Sequence, residues 1–163
     1  MPISRRVTKA VGDVLELAPR RGEVSLASLV SAVSADRGRP IEIDLADLPP
    51  GVCGQWRQYN DRDVFLLQRG LPTWQRTLAH ELGHLVLGHE GLPVVEAARQ
   101  TTEVAGDDLI GYMLNQRTGC MGPSGEDAEQ EAEDFAALLI YRLGRMPSDR
   151  ASIVQVRLGE AFG

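Results

Sequence analysis

Apolar positions recur along this chain at two different periods, and the changes of period mark out its elements. Val7, Val11, Val14, Leu15 and Ala18 fall at helical spacing, which predicts an amphipathic helix that ends before Pro19. A second helix is expected from a Ser25 cap, with Leu26, Leu29, Val30 and Val33 on its core face and Pro40 closing it. The period then drops to two. Ile41, Ile43 and Leu45 alternate with Glu42 and Asp44 as a half-buried strand requires. After the break at Leu48-Pro49-Pro50-Gly51, residues 55–59 and 64–68 read as a hairpin turning through Asn60-Asp61-Arg62-Asp63.

Helical spacing returns after Pro72, where Leu78, Leu82, Leu85 and Val86 form an apolar stripe, and again over residues 107–116. Residues 119–125 read as a flexible loop. Ala128, Ala132, Phe135, Ala136 and Leu139 then predict a helix with one packed face. Ser148 is placed to cap a last helix carrying Ile153, Val154 and Leu158, whose apolar side is available to a partner. The expected class is α+β, with helices packed around a small antiparallel sheet in a single domain over residues 1–163.

Chemistry enters with the histidines. The chain has three, His80, His84 and His89, and the first two frame His80-Glu81-Leu82-Gly83-His84. On a helix, positions i and i+4 lie about 40° apart around the axis and about 6 Å apart along it, so two imidazoles so spaced can converge on one ion. Neutral imidazole suits zinc, and a zinc ion lowers the pKa of bound water to about 7. Glu81 falls about 60° round the helix from His84, beside the metal's open position, where a general base belongs.

A catalytic zinc needs a third protein ligand. His89 is out of register with the longer pattern HExxHxxGxxH, since Leu87 and Glu90 stand where glycine and histidine are needed. On a continuous helix it points about 180° away from His80, so it reads as a helix-end or surface residue. The acidic run 126–134 supplies the alternative. Glu129 and Glu133 sit one turn apart beside the packed face; Glu129 is the preferred ligand, and Glu133 the acceptor for an imidazole's other ring nitrogen. Glu126 and Glu133 remain rival ligands. Glu126, Asp127, Glu131 and Asp134 otherwise read as a solvated acidic helix start.

These two segments resemble the ImmA/IrrE family of metallopeptidases. The resemblance is carried by Arg76-Thr77-Leu78-Ala79-His80-Glu81-Leu82-Gly83-His84 with Leu87 and His89, then by Glu129-Gln130-Glu131-Ala132-Glu133-Asp134-Phe135-Ala136-Ala137. It spans roughly residues 22 to 141, with Glu133 where the family has asparagine or aspartate. The resemblance implies a zincin-like fold, zinc held by His80, His84 and Glu129, and Glu81 as the catalytic residue. It also implies that the substrate is a separate helix-turn-helix transcriptional repressor.

Composition narrows the classes further. A net charge of -6 argues against a phosphate-driven grip on nucleic acid, and Arg20-Arg21 and Arg37-Gly38-Arg39 read as solvated loop charges. The first two helices are not followed by a basic recognition helix, so they read as packing elements. Cys53 and Cys120 each lie beside glycine and read as free thiols of a reducing compartment. No apolar run approaches a membrane span and the first residues lack the core of a secretion signal, so the cytoplasm is expected. Neither Tyr112 nor Tyr141 is assigned as an oxyanion stabiliser, since core packing is the commoner role. The expected activity is that of a zinc-dependent endopeptidase whose substrate strand pairs with the edge of the small sheet. Its rival is a zinc-containing regulatory interaction protein, toxin–antitoxin-like, that grips a partner without cutting it. Hydrolysis of a non-peptide substrate is the weaker third reading.

Overall fold

The computed structural model describes residues 2–20, 24–90, 92–93 and 125–146. The helices expected over residues 107–116 and after Ser148, together with Cys120, Tyr112 and all of the 119–125 loop except Gly125, lie outside the described residues.

Helix α1 (Arg5–Glu16) starts where the Ser4 side chain accepts from the Val7 backbone N–H, and it buries Val7, Val11 and Val14. Helix α2 (Leu26–Arg37) opens on a reciprocal cap: Ser25 accepts from the Ser28 N–H, and the Ser28 hydroxyl accepts from that of Ser25. Gly38, at φ +61°, ends α2 before Pro40 is reached. Strands β1 (Ile41–Ala46), β2 (Gly54–Gln58) and β3 (Asp63–Gln68) follow, then helix α3 (Trp74–Val86), the two-residue strand β4 (Leu92–Pro93) and helix α4 (Glu126–Leu143).

The sheet order is β1-β3-β2-β4, and the sheet is mixed rather than antiparallel. The expected hairpin is present, with Trp56 opposite Phe65. However, β1 runs parallel to β3, with Ile41 beside Asp63 and Leu45 beside Leu67. The reason is geometric: the chain reverses after β1 and again between β2 and β3, so β3 regains the direction of β1 and slots in beside it. Paired on both edges, β3 is also buried on both faces, which explains its unbroken run Val64-Phe65-Leu66-Leu67. β4 pairs parallel with β2, at Arg57 and Gln58.

Asp63 belongs to β3 rather than to the turn, and its side chain is wholly buried. It accepts from Arg39 Nε at 2.9 Å, Arg37 Nη1 at 3.0 Å and Trp56 Nε1 at 3.1 Å. Arg39 also donates to the carbonyls of Asn60 and Arg62 in the hairpin turn. Arg37 and Arg39 are therefore anchors that tie the end of α2 to the hairpin, not solvated loop charges. Burial alone would raise the Asp63 carboxyl, but the bonds from Arg39, Trp56 and Arg37 outweigh it and hold the group below its ordinary 3.8.

One core joins Val7, Val11 and Val14 of α1, Leu29 and Val30 of α2, Trp56, Phe65 and Leu67 of the sheet, and Leu78 and Leu82 of α3 with Phe135 and Leu139 of α4. Fully buried Phe135 alone contributes about 1.5–3 kcal/mol of transfer free energy. Among the described residues no helix is long and apolar enough to cross a membrane.

Candidate metal centre

Helix α3 carries the His80–His84 segment through the middle of the molecule, and every residue from Thr77 to Leu85 is buried. It packs against α4, and the contact is close because Gly83 has no side chain. A Cβ there would stand 3.0 Å from Phe135 Cδ1 and 3.2 Å from the Ala132 carbonyl oxygen. The two helices thereby bring the two distant motifs together.

His80 Nε2 and His84 Nε2 stand 3.0 Å apart. Glu129 reaches between them, with Oε2 3.3 Å from His80 Nε2 and Oε1 3.4 Å from His84 Nε2. These three side chains can hold a metal ion. Glu126 is exposed at the start of α4 and takes no part. Glu133 lies on the far side of His80, where Oε2 is 3.3 Å from Nδ1, and its other oxygen accepts from Arg76.

His89 is neither pointing away nor on the surface. Helix α3 stops at Val86, Gly88 adopts φ +71°, and the chain folds back in the capping pattern in which His89 N–H donates to the His84 carbonyl at 2.9 Å and Gly88 N–H to that of Leu85. The imidazole, only 7% exposed, is thereby laid beside His84, Nδ1 to Nδ1 at 2.9 Å. Its Nε2 meets Glu131 Oε2 at 3.1 Å, and the same oxygen accepts from Arg6 Nη1 of α1 at 2.6 Å. Glu131 is thus part of this cluster, not of a solvated helix start.

Proton positions follow from these partners. The Glu131 carboxylate accepts, so His89 Nε2 donates. Burial pushes His89 below its ordinary 6.5 against the upward pull of Glu131, so the ring is neutral at neutral pH and its Nδ1 accepts. His84 Nδ1 must then donate to it, and His80 Nδ1 donates to Glu133. With each Nδ1 so engaged, the Nε2 atoms of both rings face the Glu129 carboxylate. Burial alone would raise the Glu129 carboxyl, but the adjoining His80 and His84 outweigh it and hold the group below its ordinary 4.5, hence ionised. Both Glu129 oxygens are buried, and neither has a hydrogen-bond partner among the described residues. A carboxylate and two ring nitrogens gathered this closely call for a positive charge among them, supplied by a proton on a ring or by a metal ion.

Glu81 is 1% exposed and sits where α3 crosses β2. A Cβ on Gly54 would stand 2.4 Å from Thr77 Cγ2 and 2.9 Å from Glu81 Oε1, so only glycine lets the strand pass this close to the carboxylate. Tyr141 is 59% exposed, accepts from Arg145 at 2.9 Å, and lies about 18 Å along α4 from Glu129. Cys53 is an exposed free thiol.

Comparison with protein-family models finds no match to this chain, and comparison with curated proteins finds none. The chemistry is therefore read from the side chains themselves.

Proposed function

We propose that the chain is a zinc-dependent endopeptidase in which His80, His84 and Glu129 hold the ion and Glu81 is the general base. The supporting observation is the triangle of donor atoms, with edges of 3.0, 3.3 and 3.4 Å. Ligands about 2.0–2.1 Å from a tetrahedral zinc are separated by about 3.3 Å, which these edges approach. Two nitrogens and one oxygen suit zinc better than calcium or magnesium, which take oxygen ligands. The resemblance to the ImmA/IrrE family, with its two motifs in the same order, points the same way.

Zinc held here supplies a Lewis acid that polarises a scissile carbonyl and makes water a usable nucleophile. Everything else is work for the chain's own groups. Glu81 takes the proton from the attacking water on its carboxylate and passes it to the leaving amine. Glu133 and Arg76 hold His80 from behind. Among the described residues the outer edge of β2 is paired only at Arg57 and Gln58, so an extended peptide can pair along residues 54–56 with its backbone beside Glu81. The resemblance names the substrate class, a separate helix-turn-helix repressor.

The test is incubation of the zinc-loaded chain and of Glu81→Gln with candidate repressors, followed by mass spectrometry of the products. The wild type is expected to cut at one site. The variant should keep its zinc and lose about 10²–10⁴-fold in rate, the usual contribution of a general base. A wild type that binds a repressor and never cuts it would instead indicate a regulatory interaction module.

A further inference from the structure

We infer that His89 is a positioning residue of the metal centre: held by Glu131 and Arg6, it accepts the Nδ1–H of His84 and fixes the orientation of that ligand. The inference rests on the zinc site proposed above and adds to it a second supporting arm that reaches helix α1.

The two ligand imidazoles are supported unequally. His80 donates directly to a carboxylate, Glu133, whereas His84 donates to another imidazole, 2.9 Å away, and a carboxylate stands one residue further out. A histidine that binds an ion through Nε2 carries its proton on Nδ1, so His84 Nδ1 donates to His89 Nδ1, and His89 Nε2 in turn donates to the Glu131 carboxylate. Arg6 completes the arm by donating to Glu131 and to the Leu87 carbonyl at the turn that places His89. A single side chain of α1 therefore clamps both the fold-back after α3 and its anchor on α4. Groups that accept from a ligand imidazole set its tautomer and angle, and their loss typically costs about 10–100-fold in metal affinity.

The experiment measures zinc affinity by competition with a chromophoric chelator, and the visible spectrum after cobalt(II) substitution, on the full-length chain. His89→Phe keeps a ring of similar size and removes the acceptor. His89→Asn places an amide oxygen close to the position of Nδ1. The expected result is an affinity loss of about 10–100-fold in His89→Phe with a shifted cobalt spectrum, most of both recovered in His89→Asn. Arg6→Met, at a side chain 56% exposed and outside the ligand set, should lower affinity in the same direction by less. Wild-type affinity and spectrum in His89→Phe would overturn the inference, as would equal losses in His89→Phe and His89→Asn, since packing alone would then explain them. A wild type that takes up neither zinc nor cobalt would overturn the metal site itself, a result distinct from either.

Discussion

Gly83 of α3 lies against Phe135 of α4 so closely that a single added carbon would meet the ring at 3.0 Å and the Ala132 carbonyl at 3.2 Å. One ring edge and one glycine thus set the helix spacing on which the Glu129 to His80 and His84 distances depend. Gly83→Val puts a branched side chain into that contact. It should destabilise the fold by roughly 1–3 kcal/mol, the usual cost of overpacking, and weaken metal binding by moving Glu129 away from the imidazoles. Thermal melts with and without zinc check this: the variant should show a smaller zinc-induced rise in Tm than the wild type.

Gly54 has a different task. A methyl group there would collide with Thr77 Cγ2 at 2.4 Å and press on Glu81 Oε1 at 2.9 Å, without touching a ligand. Gly54→Ala should therefore leave zinc content at one ion per chain and lower kcat/KM by displacing the base. Adding Thr77→Ser removes the nearer obstacle and should restore part of the rate. Loss of zinc in the single variant would show that the strand supports the ion rather than the base.

Asp63 makes the fold acid-sensitive in a defined direction. Its folded value lies below 3.8, so the unfolded chain binds the proton more readily. The resulting stability is complete above 3.8 and is lost as pH falls through the lower, folded value. Asp63→Asn should cost roughly 1.5–3 kcal/mol at neutral pH, the range for a hydrogen bond to a charged group, and should flatten the acid limb of a Tm-against-pH curve. An unchanged acid limb would assign that limb to other carboxylates.

The legible parts of the site were those written in helical period. His80 and His84, and again Glu129 and Glu133, repeat at four residues on helices whose apolar stripes are plain, so their faces follow from geometry alone. The return of His89 lies outside what helical period encodes, although its signal is present: Gly88, just beyond the last apolar position, is the residue that lets a helix end and the chain reverse. Glu131 and Arg6 were missed because their meeting depends on how α1 docks, and periodicity carries no information about docking. The same holds for Arg37 and Arg39, whose partner Asp63 is more than twenty residues away. The parallel pairing of β1 with β3 leaves no trace in β1, and its one sign in β3 is the unbroken apolar run.

The central claim is that segments 80–84 and 126–134 close on one ion. Anomalous diffraction at the zinc edge, on crystals of the zinc-loaded chain, tests it most directly. The account predicts one peak about 2.0–2.2 Å from His80 Nε2, His84 Nε2 and a Glu129 oxygen. A zinc peak ligated without Glu129, or none between the two imidazoles, would contradict it.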